Sequence, residues 1–133
     1  MNPALPDLLL GLAGAISAPA PPEAGGDYAA ARLGLVAMLL VLAAQEAERG
    51  PAARQWENEA IAALLVKHGS DGQGPLATDA AMTWSALDAQ NAELRRGLIA
   101  LHERAEAQND QGLQRTILAL YQEMADSRRL TLG

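Results

Sequence analysis

The chain has 133 residues, half of them hydrophobic, with no Cys, no Phe and a formal net charge of −6. This length suits one domain with its own core, and the absence of Cys excludes a disulfide framework and a thiolate site, which makes a reducing, cytoplasmic setting the default. The acidic balance opposes phosphate backbones and anionic membranes at long range, so no nucleic acid is expected as a partner.

Ala and Leu supply most of the bulk, and the aromatics are only Tyr28, Trp56, Trp84 and Tyr121. That is the alphabet of closely packed helices. β-Branched residues are scattered and no alternating run marks a strand. The expected fold is therefore all-α, a single domain over 1–133 built as a bundle of four or five helices.

Pro3 and Pro6 open the first predicted helix, about residues 5–17, in which Leu5, Leu9, Leu12 and Ile16 share one stripe. Leu8 to Ala18 is apolar enough to imitate an export signal, but no Lys or Arg precedes it and Asp7 does, so a buried helix is expected. The Pro- and Gly-rich stretch Ala18 to Gly26 is a loop. Small residues spaced by four (Gly11 with Ala15, Gly14 with Ala18, Ala30 with Gly34) suggest close packing of the first two helices.

Asp27 suits the N-cap of a second helix, about Tyr28 to Arg49. Its middle, Leu33 to Ala44 (LGLVAMLLVLAA), has no charged or polar side chain. A helix apolar on every face must be surrounded, and the run is shorter than the ~20 residues of a membrane span. It is expected at the centre of the bundle as the least accessible segment, where Leu40→Asp would prevent folding.

Gly50-Pro51 then either separates the second helix from a third, about 51–68, or lies within one long kinked helix, since the apolar face of Val36, Leu40 and Ala43 continues through Ile61 and Leu65. The Gly-rich linker 69–75 divides an N-terminal part, 1–68, from a C-terminal helical part, 76–133. Thr78 or Asp79 caps a helix reaching about residue 108, and Asn109-Asp110 turns the chain into a last helix, about 111–129, with a stripe of Leu113, Ile117, Leu120 and Met124.

The sharpest pattern lies between linker and turn. Trp84, Leu87, Asn91, Leu94, Leu98, Leu101 and Ala105 follow one another at spacings of three and four, as seam positions of a heptad would. Trp84 through Leu101 are thus the candidate interface, with Asn91 as a register-setting amide whose replacement by Leu would keep or raise stability. Packing inside one chain, with Asn91 bonded to a neighbour, explains the same spacing. Asn58-x-x-Ile61-x-x-x-Leu65 echoes Asn91-x-x-Leu94-x-x-x-Leu98, a spacing that any two amphipathic helices share.

Catalytic chemistry finds no foothold. Neither His68 nor His102 has an acid three residues before it, as a di-iron bundle requires, and Glu57, Glu59, Glu103 and Glu106 are read as solvated charges on polar faces. Arg95-Arg96 and Arg128-Arg129 are read as solvated pairs or charges favourable near a helix C-terminus. The serines lack a nucleophile elbow, and no phosphate-cradling loop is present. No catalytic residue, cofactor or metal ligand is assigned. The expected function is a small, non-enzymatic interaction or adaptor protein that associates with itself or another protein. The alternative is a bundle enclosing a lipid or other apolar small molecule around Met38 and Leu42.

Overall fold

The computed structural model describes residues 5–17, 25–69 and 83–131. All regular structure among them is helical: α1 (Leu5–Ser17), α2 (Gly25–Lys67), α3 (Trp84–Ala107) and α4 (Gln111–Ser127). Most of the linker 69–75, with Thr78 and Asp79, lies outside the described residues. So do residues 18–24 of the expected loop Ala18 to Gly26; its Gly25 and Gly26 belong to α2, which therefore begins before the expected N-cap Asp27.

The predicted second and third helices are one. α2 contains Pro51 in its interior. Proline lacks the N–H that the carbonyl four residues earlier would accept, and its ring crowds that carbonyl. The sequences on either side (VLAAQEAER and AARQWENEAIAALLVK) are strong helix formers, and they carry the helix across the interruption.

The chain divides into two compact units, with the boundary at Arg49–Gly50. The expected all-α class holds, whereas the expected bundle of four or five helices is not matched in helix count. The unit from Gly50 to Arg129 is a three-helix arrangement of the second part of α2 with α3 and α4. Its core joins Ile61, Leu64 and Leu65 of α2 to Leu94, Leu98, Leu101 and Ala105 of α3 and to Leu113, Ile117 and Met124 of α4. Contact is so close that a Cβ placed on Gly97 would lie 3.0 Å from Leu65 Cδ1. The echoed Asn–Ile/Leu–Leu spacings are the two faces meeting here.

Local chemistry sets the ends of these helices. Thr83 is extended, and its hydroxyl accepts from the Ala86 amide at 3.2 Å, so α3 starts at Trp84 and not at Thr78 or Asp79. Asn109 takes a left-handed φ of 54° after α3, and Asp110 Oδ1 accepts from the Leu113 amide at 3.0 Å to cap α4. Arg104 donates to the His68 carbonyl at 3.0 Å, just past the last turn of α2.

The other unit contains α1, α2 up to Arg49, and the chain from Leu130 onward. Leu8 and Leu12 of α1 and Ala43 of α2 are buried, whereas Leu9 is exposed, so the buried stripe of α1 runs one residue away from the expected Leu9. Arg32 donates to the Ala15 carbonyl, tying α2 to α1, and Gln45 exchanges two hydrogen bonds with the Thr131 backbone, at 2.6 and 3.0 Å. Gly11, Gly14 and Gly34 meet open space, which removes the expected close helix approach through small residues.

The largest correction concerns Leu33 to Ala44. Only Ala43 is buried in this run, while Leu33 is 70% exposed and Leu40 53% exposed. Residues Arg32, Val36, Leu39 and Leu42 are half-buried, and Leu33, Gly34, Leu35, Ala37, Met38, Leu40, Val41 and Ala44 are exposed. Being apolar on every face, the run offers more surface than a single neighbouring helix can cover.

Candidate functional site

The most concentrated chemistry in the described chain surrounds Glu57, in the unit from Gly50 to Arg129. Its side chain is 0% exposed, contrary to the solvated charge expected from the sequence. Position 57 faces α3 because it lies one turn before the core residue Ile61 and two turns before Leu64, which places Glu57 and Asn58 opposite Asn91. Burial of an unpaired carboxylate is costly, and here its oxygens are met by donors from three helical segments.

Asn91 Nδ2 donates to Glu57 Oε1 and to Asn58 Oδ1, both at 2.8 Å, while Asn91 Oδ1 accepts from Arg54 Nη1 at 3.1 Å. Arg95 Nε and Nη2 each lie 3.0 Å from Glu57 Oε1. Arg128, immediately after α4, donates to Glu57 Oε2. Asn58 Nδ2 donates to the Leu87 carbonyl at 3.1 Å and to Gln90 Oε1 at 3.3 Å. Arg54 Nε lies 2.9 Å from Asp88 Oδ1, an ion pair too bent to count as a linear hydrogen bond.

Burial pushes the Glu57 carboxyl up, but the hydrogen bonds from Asn91 and Arg128 and the charges of Arg128 and Arg95 outweigh it and hold the group below its ordinary value. Arg128 is shifted down from the usual guanidinium range by burial, with Glu57 opposing that shift. A carboxylate so saturated with donors is a structural anchor: its lone pairs are engaged, and the helix faces around it close it from solvent. Both basic pairs divide their labour. Arg95 and Arg128 reach Glu57, whereas Arg96 and Arg129 pair locally with Glu93 and Asp126.

The candidate interface falls largely inside this unit. Leu87, Asn91, Leu94, Leu98 and Leu101 are buried and face neighbours in the same chain, and Trp84, the first residue of α3, is half-buried. Trp56 is exposed. His102 stacks at a tilt on Tyr121, with centroids 5.7 Å apart, and its Nε2 lies 3.6 Å from Glu106 Oε1. Burial, the largest influence, moves the Tyr121 hydroxyl up, with Arg95 opposing and Glu106 adding to the shift. His68 contributes its backbone carbonyl to Arg104. Among the described residues, no group of three or more His, Cys, Asp or Glu side chains is arranged to hold a metal ion, and no helix is long and apolar enough to cross a membrane.

Among the described residues, two surfaces are candidates for a partner. One is the exposed face of Leu33 to Ala44. The other is an open groove of about 560 Å³ between α2 and α4, floored by Ala60, Ala63, Leu64, Ala119 and Leu120, with Lys67, Arg115 and Glu123 among its polar lining. The first displays several large apolar side chains along one stretch of helix; elsewhere Trp56, Val66, Ile99 and Leu118 are also exposed. No protein-family model, curated protein or solved structure matches the chain.

Sequence reasoning missed Glu57 because its neighbours Arg54 and Glu59 are polar and a charge beside them reads as solvated. A signal was present in the paired Asn58 and Asn91 at matching positions ahead of apolar residues. Two buried amides on facing helices need a shared set of partners, and Glu57 and Arg54 supply it.

Proposed function

We propose that this chain is a small, non-enzymatic helical interaction protein that associates with itself. The observation that carries the reading is the outward display of Leu33, Leu35, Met38, Leu40 and Val41 along one uncharged stretch of α2. Contiguous apolar surface on a folded chain is characteristic of a protein interface. The buried polar residues around Glu57 are engaged in holding helices of the other unit together, and its exposed Val66, Ile99 and Leu118 stand on three different helices, whereas Leu33 to Ala44 displays several large apolar side chains along one.

Sedimentation equilibrium of the full chain over nanomolar to high micromolar concentration tests this. The expected result is a mass rising above the 13.9 kDa of one chain within the micromolar range. A single-chain mass at every concentration would sink the self-association reading.

The groove between α2 and α4 favours a second reading, binding of a lipid or another apolar molecule. Its alanine floor admits an apolar chain, and its volume falls within the range of small-molecule sites. This locus replaces the one expected around Met38 and Leu42, since Met38 is exposed and Leu42 only half-buried. Titration with a fluorescent fatty acid, with Ala63→Trp to fill the floor, tests it: saturable binding lost in the variant supports the reading, and absence of binding to the native chain removes it.

A further inference from the structure

We infer that the groove between α2 and α4 takes a medium-chain fatty acid in one orientation, its carboxylate between Lys67 and Arg115 and its tail along the alanines toward Glu123. The inference rests on the reading of this groove as a site for an apolar molecule, and adds the head group, its direction and the length of the tail.

The directions of the helices give the groove two unlike ends. Arg128, just after α4, reaches Glu57, and Arg104, in the last turn of α3, reaches the His68 carbonyl just past the end of α2. The turn at Asn109-Asp110 leads directly from α3 into α4, so the start of α4 lies beside the end of α2 and the two run antiparallel. Lys67 therefore comes level with Arg115, and Ala60 with Glu123, with Ala63 and Ala119 between them. One end holds two cations and the other a carboxylate.

In a chain of net charge −6, two neighbouring cations without a carboxylate stand out. Arg54, Arg95 and Arg128 converge on Glu57, while Arg96 and Arg129 pair with Glu93 and Asp126. Among the described residues, the Lys67 ammonium meets no acceptor, and Arg115 gives only its Nε, to the Gln111 carbonyl of its own helix at 3.2 Å. An ammonium has three N–H donors and a guanidinium five, so this end retains donors for an anion that the described chain does not supply.

The floor decides what that anion is attached to. Its middle is formed by alanines and leucines, so a peptide laid along it would leave N–H and C=O groups without partners, whereas a hydrocarbon tail needs none. Inorganic phosphate would engage the cations and leave the apolar floor uncovered. Glu123 repels a second negative charge at the far end, which sets the direction of the tail. Lys67 lies seven residues beyond Ala60, roughly 10 Å along the helix at 1.5 Å per residue. A tail of about eight carbons, zigzagging at ~1.5 Å per bond, covers that distance.

The full-length chain is titrated with octanoate, octanol and inorganic phosphate, and binding is read from backbone amide chemical shifts. Saturable octanoate binding that moves the amides of the groove is expected, with octanol about tenfold weaker and phosphate weaker still. Lys67 and Arg115 are exposed, so the double variant Lys67→Gln with Arg115→Gln keeps the fold. It should weaken octanoate about tenfold, each exposed ion contact being worth a factor of a few, and leave octanol unchanged. Glu123→Gln should bind octanoate equally or more tightly. Octanol binding as tightly as octanoate, with octanoate unmoved by the double variant, would overturn the head group and its direction while leaving an apolar site standing. Phosphate binding as tightly as octanoate would make this end a plain anion site and overturn the fatty acid. No binding of octanoate or octanol would overturn the groove as an apolar site and this inference with it.

Discussion

The two stretches of α2 invert the usual relation between composition and burial. Before Arg49, the helix carries the most apolar run in the chain and leaves Leu33 and Leu40 more than half exposed. After Gly50, it carries Arg54, Glu57, Asn58 and Glu59 and buries two of these four more completely than any side chain of the apolar run. Burial follows the available partners rather than hydropathy. Glu57 is enclosed because α3 and the residue after α4 bring donors to it, whereas Leu33 is open, and among the described side chains of α1 Leu8 and Leu12 are the buried ones.

The sharpest way to break this contrast is to remove the partner that makes burial of charge tolerable. Glu57→Ala takes the shared acceptor from Arg95 and Arg128 and the counter-charge from Arg54, whose Nη1 lies 3.6 Å from Glu57 Oε2, and loss of one member of a buried ion cluster costs about 3–5 kcal/mol. Urea unfolding followed by circular dichroism should show that loss. A change below about 1 kcal/mol, the range of exposed ion pairs, would mean that the carboxylate is solvated in solution and the contrast false.

Asn91→Leu comes next. The sequence alone leads one to expect unchanged or higher stability, but the amide bonds Glu57, Asn58 and Arg54. An apolar side chain at this position would leave buried polar groups short of partners, at about 1–3 kcal/mol. A lowered melting temperature with unchanged self-association is expected, because the seam is intramolecular at this point. A changed association constant would return Asn91 to the role of an intermolecular register residue.

Acid titration sharpens the comparison further. Because the folded state holds Glu57 below its ordinary value of 4.5, the group contributes stability that is fully present above that value and is lost as pH falls through the depressed native value. Unfolding free energies collected from neutral to acid pH should decline more steeply for the native chain than for Glu57→Gln. Parallel acid limbs would show that the cluster does not favour the ionised form.

Leu33→Ala should have the smallest effect. At 70% exposure the side chain adds little to the single chain, and a shift within about 0.5 kcal/mol is expected at concentrations below the association range. The same truncation at Leu98, which is 1% exposed, should cost about 2–5 kcal/mol. Equal losses at the two sites would show Leu33 to be a core residue after all.

The helical class, the extent of α1, the turn at Asn109-Asp110 and the seam from Leu87 to Ala105 were legible because each depends on local chemistry: periodic leucines, a Pro- or Asp-led start, an Asn that tolerates a left-handed φ. The fate of Pro51 was legible only as a choice between a break and a continuous helix, since nearby propensity, not the proline itself, decides it. Exposure of Leu33 to Ala44 was not legible. Hydropathy states what a segment would gain from cover, and only the tertiary structure states whether cover is supplied. Glu57 shows the converse, because a carboxylate's donors lie up to 71 positions away along the chain.

Pro51 also makes α2 mechanically divisible. Helical cooperativity passes from one backbone hydrogen bond to the next, and the ladder lacks a rung at the place where the two units divide. Amide protons ahead of the proline can therefore exchange with solvent through openings that leave the Glu57 cluster closed, whereas those behind it wait for the ions to separate. One continuous helix is thus expected to hold a faster-exchanging length ahead of Pro51 and a slower one behind it, with a single imino acid as the firebreak.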